Sequence, residues 1–111
     1  PGWAEAHPQQ LESYLQRRLQ FPTPAACWQA QYAACTGHAQ NGERVENIKV
    51  PALVIHGEQD RVVPFANGRQ LAQRIAGSQW LPMPGVGHVP YLERREEFTA
   101  VVRAHLAGVG A

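Results

Sequence analysis

The pattern that most restricts the fold of this chain is a unit of strand, loop and helix that occurs twice in its second half. Residues 52–55 (ALVI) form a short continuous apolar run, which is typical of a strand covered on both faces. Residues 80–83 (WLPM) predict a second, weaker strand at a sheet edge, because Pro82 cannot donate a ladder hydrogen bond. A helix is predicted after each strand, over about 64–76 and about 94–107. Their apolar spacing predicts an inward face at Leu71, Ile75, Phe98, Val101, Val102 and Leu106.

Strands that alternate with helices predict a parallel sheet with helices across its faces. Two parallel strands do not form such a sheet by themselves, because parallel pairs occur almost only inside larger covered sheets. The predicted fold class is therefore α/β, with residues 44–111 as the C-terminal part of a larger parallel sheet (two strands and two helices). The chain begins Pro1-Gly2-Trp3, without a methionine or a signal-peptide pattern, which favours a piece of a longer protein.

Residues 1–43 predict two helices and a connecting segment. The first helix starts at Pro8, and the prolines that follow it bring it to an end. The second helix carries Trp28 and Tyr32 on one side and is predicted to stop near Gly37. Two interpretations of this aromatic stripe stay open: packing inside the fold, or a lid whose rings line an apolar substrate pocket.

Charge and residue distribution exclude several kinds of partner. Ten Lys and Arg against nine Asp and Glu leave a net charge of +1, which gives no electrostatic case for nucleic acid or an anionic membrane surface. No apolar run approaches the length of a membrane span. The five histidines are spread singly along the chain, so no metal site is predicted.

The two cysteines, Cys27 and Cys35, are predicted to be free, half-buried thiols. If both lie on one helix, eight residues place them about 12 Å apart along its axis. A disulfide needs Cα atoms within about 7 Å of each other. Free thiols and the lack of a visible export signal favour a cytoplasmic location.

Asp60 and His88 are the candidates for catalysis. Asp60, the only aspartate, follows the first predicted strand, and His88 lies in a glycine-rich loop after the second. They are 28 residues apart, one strand-helix-strand unit, so parallel neighbouring strands would bring both to one edge of the sheet. There a histidine can take a proton from a nucleophile and return it to a leaving group, while a carboxylate fixes its tautomer. Singly, each residue has an ordinary explanation, a turn-forming aspartate and a solvated histidine; the pair favours catalysis.

Two segments carry a family resemblance, residues 48–64 (IKVPALVIHGEQDRVVP) and residues 84–93 (PGVGHVPYLE). The first closely resembles the acid-residue segment of the α/β-hydrolase fold, the second resembles its histidine loop, and the similarity spans about 44–108. Residues 1–40 resemble, less specifically, the end of the helical cap that such enzymes insert before this part. The resemblance implies a serine-hydrolase-type site with Asp60 as the triad acid and the histidine of the second segment as the base.

The sequence departs from that family in lacking its nucleophile. The family places the nucleophile in a G-x-S-x-G elbow between a strand and a helix. Neither serine, Ser13 or Ser78, has such surroundings, neither cysteine has them, and the only aspartate is already assigned as the acid. The oxyanion-hole donors, which come from the elbow and an earlier loop, are missing as well. The chain alone is therefore expected to hydrolyse no ester above background.

Two hypotheses about function follow. In the first, the chain is the C-terminal part of an α/β-hydrolase that, when intact, hydrolyses an ester, lactone or similar acyl bond of a small apolar substrate without a cofactor. Trp28, Tyr32 and Tyr91 are then candidates for lining the acyl pocket. In the second, the chain is a non-catalytic interaction module of the same fold. The unpaired edge of its first strand would then pair with a second copy, as a homo-oligomer, or with a chain that carries the rest of the fold.

Overall fold

The computed structural model of this chain describes residues 2–39 and 42–109. These residues divide into two compact units, Gly2–Arg44 and Val45–Ala111. A 3₁₀ helix, Gly42–Asn47, crosses the boundary between them. Each unit has its own architecture and is described separately.

Three helices are described in the first unit: α1 (Trp3–Ala6), α2 (Pro8–Gln20) and α3 (Ala25–Ala39). Helix α2 begins at Pro8 because the fixed φ of proline suits the first helical position, where no N–H is needed. It ends before Phe21, because the residue ahead of a proline disfavours helical backbone. Helix α3 ends two residues beyond Gly37, so the predicted stop near Gly37 agrees with the structure within the usual scatter of helix ends. Gly37 does not adopt the left-handed φ that ends a helix, and a helical glycine costs only about 1 kcal/mol.

The surface of α3 is open to solvent. Its residues are exposed from Ala25 to Gly37, and both Cys27 and Cys35 are free and exposed, so their predicted half-burial is wrong. Trp28 and Tyr32 lie on one side of this helix, and no described part of its own unit covers them. No described helix has both the length and the apolar character that crossing a bilayer requires.

The second unit has the order strand, helix, strand, helix, helix. Its elements are β1 (Leu53–Gly57), α4 (Phe65–Arg74), β2 (Gln79–Met83), α5 (Pro90–Glu93) and α6 (Arg95–Val109). The strands pair in parallel, with Leu53 opposite Gln79 and Gly57 opposite Met83. Helix α4 connects them and packs against both. The α/β fold with a parallel strand pair, predicted from the sequence, is confirmed, and the short helix α5 is an addition to it.

The hydrophobic core of the second unit is small. Its buried apolar residues are Val54, Ile75, Met83 and Val86. Leu71 and Leu106 are 38% and 64% exposed, so the prediction that they point inward is wrong. Helical spacing marks an apolar face, but the face is buried only where another element packs on it.

Candidate active site

Asp60 is fixed in the turn that follows β1. Its Oδ1 accepts hydrogen bonds from the backbone N–H groups of Val62 (2.8 Å) and Val63 (2.9 Å). Aspartate favours such a turn because its short side chain reaches amides two and three residues ahead. Only 6% of the side chain is exposed. The other carboxylate oxygen, Oδ2, faces the loop that follows β2.

His88 lies in the loop between β2 and α5, and its ring contacts the acid. Its Nδ1 is 2.9 Å from Oδ2 of Asp60. The two residues come together because β1 and β2 are parallel neighbours, so their carboxyl ends lie at one edge of the sheet. The His88 side chain is 48% exposed, so the ring is accessible to reactants whereas the carboxylate is shielded.

The loop after β1 and the loop after β2 are tied together through their backbones. The N–H of Gln59 donates to the carbonyl oxygen of Val86 at 2.9 Å. At Gly57 the loops approach so closely that a Cβ atom would lie 2.2 Å from the carbonyl oxygen of Gly87. A side chain does not fit there. This close approach sets the spacing between the acid and the histidine.

A second histidine, His56 in β1, also contacts the acid turn. Its Nε2 lies 3.1 Å from the carbonyl oxygen of Val63 and 3.3 Å from Oδ2 of Asp60. The carbonyl can only accept, so Nε2 carries the proton and its N–H faces both oxygens. An edge contact with Phe65 holds the ring, and Gly68 leaves room for it, because a Cβ there would lie 2.4 Å from Nδ1. The prediction from sequence did not include His56, although its place near the carboxyl end of the first strand is the signal that singled out Asp60.

The Asp60 carboxyl group is ionised at neutral pH. Burial raises its pKa, but hydrogen bonds from His88 and from the N–H groups of Val63 and Val62 outweigh burial, because they stabilise the carboxylate. The net effect lowers the pKa of Asp60 from 3.8 to about 2. A carboxylate can only accept, so the proton of this contact lies on Nδ1 of His88, and in the neutral tautomer of the ring Nε2 carries the lone pair of a base.

A cavity of about 220 Å³ lies beside the pair. Both the acid and the histidine line it, together with six neighbours: Ile55, His56, Gly57, Val63, Gly87 and Pro90. Across the residues that the structure describes, no three His, Cys, Asp or Glu side chains form a group suited to hold a metal ion. The chemistry that this site can perform with its own residues is proton transfer.

The family of the chain follows from its sequence match. The profile of the family described as "Serine aminopeptidase, S33" matches residues 1–94, most of the chain. The chain belongs to this S33 family, whose fold is that of the α/β-hydrolases. The match includes the helical unit, which is the part with the less specific resemblance.

The proteins similar to this S33 family member include an α/β hydrolase domain-containing protein, an esterase and a lactone-degrading enzyme. The α/β hydrolase domain-containing protein aho-3 of Caenorhabditis elegans is 34% identical over 88 residues, which cover 73% of this chain and 25% of that protein. A thermophilic esterase from Thermogutta terrifontis superposes with a TM-score of 0.56 at 30% identity, over 60% of this chain and 24% of the esterase. Est816, described as an N-acyl homoserine lactone degrading enzyme, superposes with a TM-score of 0.54 at 39% identity, over 56% of this chain and 24% of Est816. The chain spans about a quarter of the length of these proteins.

The aromatic residues predicted to line a substrate pocket lie in both units of this S33 family member. Trp28 and Tyr32 lie on α3, 59% and 65% exposed, with their rings stacked 5.6 Å apart. Trp28 also lines a cavity of about 590 Å³ within the helical unit. Tyr91 lies on α5, 47% exposed, with its ring against Phe98, and is not among the residues that line the cavity at Asp60. A pocket role for these three residues stays a prediction.

The low pKa of Asp60 makes the stability of this S33 family member depend on pH at the acid end. The folded-state pKa of about 2 is below that of an unfolded aspartate, about 3.9, so the carboxylate stabilises the fold above about pH 4. This contribution, about 2 to 3 kcal/mol, is lost as the pH falls from about 4 to about 2. Urea unfolding near pH 6 and near pH 2.5 measures it, with Asp60→Asn as the comparison. We expect the difference in the free energy of unfolding between the wild type and Asp60→Asn to be smaller at the lower pH. An equal difference at both pH values would contradict the dependence of stability on the ionisation of Asp60.

Proposed function

We propose that this chain supplies the acid and the base of a nucleophile-histidine-acid triad, and that the intact enzyme hydrolyses an ester, lactone or similar acyl bond. The observation that carries the proposal is the 2.9 Å contact between Nδ1 of His88 and Oδ2 of Asp60 at adjacent strand ends. The family match and the hydrolases among the similar proteins support the reaction class.

In the proposed mechanism, Nε2 of His88 takes the proton of the nucleophile's hydroxyl as that oxygen attacks the acyl carbon. The carbon–oxygen bond to the leaving alcohol then breaks, and the imidazolium returns the proton to that alcohol. Water repeats the sequence and releases the acid. Asp60 stays ionised throughout, holds the proton on Nδ1 and stabilises the imidazolium.

The nucleophile, in this proposal, belongs to a segment outside these 111 residues. Ser13 lies within α2, where its Oγ donates to the carbonyl oxygen of Gln9 at 3.0 Å. Ser78 precedes β2, at the opposite end of that strand from His88, and its Oγ donates to the carbonyl oxygen of Ala72 at 2.7 Å. Neither lies in a G-x-S-x-G turn between a strand and a helix. Both serines therefore have local structural partners rather than a place in the triad.

The substrate class is proposed from the similar proteins and from the exposed aromatic side chains. An esterase and a lactone-degrading enzyme among those proteins favour a carboxylic ester or a lactone. Trp28 and Tyr32 in one unit and, separately, Tyr91 in the other present exposed aromatic surface, and we propose an apolar acyl group because covering such surface with apolar groups is favourable. The triad reaction, as proposed, uses no cofactor.

A chimera tests this function. Residues 44–111 replace the quarter of Est816 on which this chain superposes, and the remaining three quarters are expected to carry the nucleophile in a G-x-S-x-G turn. We expect the chimera to hydrolyse an N-acyl homoserine lactone and to be labelled by a fluorophosphonate, which reacts with activated serines. The isolated 111-residue chain is expected to do neither. Labelling of the isolated chain would contradict the proposal directly.

A second candidate function is a non-catalytic interaction module, and one observation favours it. The described sheet consists of β1 and β2 alone, so β1 has one edge paired and the other open. An open edge presents backbone N–H and C=O groups to a second copy of this chain or to a chain that carries the rest of the fold. A folded but inactive chimera, together with a stable dimer of the isolated chain in sedimentation, would favour this function over hydrolysis.

We also propose a cytoplasmic location. Cys27 and Cys35 are both free, and reducing compartments keep thiols in that state.

A further inference from the structure

The carboxylate of Glu93, which is not part of the acid-histidine pair, binds the loop that carries His88. Its Oε2 accepts the N–H of Gly87 at 2.9 Å, and its Oε1 accepts the N–H of Val89 at 3.3 Å. These two amides flank His88 in the sequence. A single side chain therefore holds the backbone on both sides of the imidazole.

The local fold explains how Glu93 reaches this loop. Helix α5 begins at Pro90, two residues after His88, and Glu93 is its last residue, about one turn further on. Helical side chains lean toward the N-terminus, so the carboxylate returns to the segment that enters the helix. At Gly87 a Cβ atom would lie 3.0 Å from Oε1, so the glycine lets the backbone come close. The loop is thereby folded around the half-buried carboxylate.

We propose that Glu93 is the positioning residue that directs Nδ1 of His88 at Asp60. The His88 side chain is 48% exposed, so packing alone does not fix its direction. A half-exposed ring takes its direction from the backbone that carries it, and charge-assisted hydrogen bonds to Glu93 fix that backbone. The consequence for catalysis rests on the proposed function, whereas the positioning itself does not.

NMR of the 111-residue chain tests this role without any need for activity. The Nδ1–H proton of His88 is followed as a deshielded signal, assigned by its loss in His88→Gln. Glu93→Gln is the decisive variant, because glutamine keeps the size and one acceptor oxygen but loses the charge and the second acceptor. We expect it to weaken the signal and to speed amide exchange at Gly87 and Val89 about fivefold. Glu93→Ala is expected to remove the signal.

Glu96→Gln is the matched control, because Glu96 lies in the first turn of α6 with an exposed side chain. It is expected to leave the signal and both amides unchanged. An unchanged signal and unchanged exchange in Glu93→Gln would overturn the proposal, since a merely space-filling side chain gives that result. Loss of protected amides throughout β1 and β2 would also overturn it, because Glu93 would then support the whole fold. Neither outcome depends on an active chimera, so failure of this role and failure of the proposed function are distinguishable.

Discussion

Asp60→Asn is expected to lower the kcat of a hydrolase that contains this chain by about 10⁴. The Oδ1 of asparagine can still accept the N–H groups of Val62 and Val63, so the turn stays formed. The amide nitrogen then faces His88, in the place of the oxygen that lies 2.9 Å from Nδ1. An amide N–H donates, so Nδ1 must accept and the ring proton moves to Nε2. The ring keeps its position in the wrong tautomer, and it cannot take the proton of the nucleophile.

The chimera with Est816 provides the measurement, as kcat and KM for an N-acyl homoserine lactone. Glu58→Gln is the matched control, because Glu58 is an exposed carboxylate in the same loop, two residues before the acid. It is expected to stay within about twofold of the unsubstituted chimera, since exposed charges at this distance contribute little. A loss of less than about tenfold in Asp60→Asn would contradict the assignment of Asp60 as the triad acid.

The meeting of Asp60 with His88 could be predicted from the sequence because it is a consequence of topology. Parallel strands place their carboxyl ends at one edge of a sheet, and a single crossover helix separates these two strands. A short apolar run followed by an acid turn, and a second strand followed by a glycine-rich loop, are sufficient to place both residues at that edge. No detail of side-chain packing enters the prediction.

The contacts that His56 and Glu93 make could not be predicted in that way, although the place of His56 near the end of the first strand is visible in the sequence. His56 contacts the carbonyl oxygen of Val63, and Glu93 contacts two amides of the histidine loop. Every residue has a carbonyl and nearly every residue has an amide, so no sequence pattern marks the backbone groups that meet a given side chain. The supporting contacts of the site are therefore visible only in the folded backbone.

The burial of individual side chains could be predicted from the sequence less well than the topology or the meeting of the acid with the histidine. Apolar periodicity identified Ile75 correctly but also placed Leu71 and Leu106 inward, where the structure leaves both exposed. Periodicity states which side of a helix can be covered, whereas burial depends on the element that covers it. If, as proposed, the rest of the fold lies outside these residues, we expect elements of that part to cover both leucines in the intact protein.

Gly57→Ala is expected to destabilise the fold by roughly 3 kcal/mol or more. The new Cβ would lie 2.2 Å from the carbonyl oxygen of Gly87 and 2.4 Å from that of Val86. Both are backbone atoms that cannot rotate away, so the loop that carries His88 must move as a whole. That movement also pulls Val86 from the N–H of Gln59, which donates to it at 2.9 Å. Thermal unfolding followed by circular dichroism is expected to show a midpoint lower by more than about 10 °C.

Gly108→Ala is the matched control, because a Cβ at Gly108 in α6 would meet no described atom within 4 Å outside its own helix neighbourhood. Alanine is a better helix former than glycine by about 1 kcal/mol, so this variant is expected to be at least as stable as the wild type. Comparing the stabilities of Gly57→Ala and Gly108→Ala separates the general effect of replacing a glycine from the steric clash at Gly57. If Gly57→Ala unfolded within a few degrees of the wild type and kept the Nδ1–H signal of His88, the spacing of the acid and the histidine would not depend on this glycine.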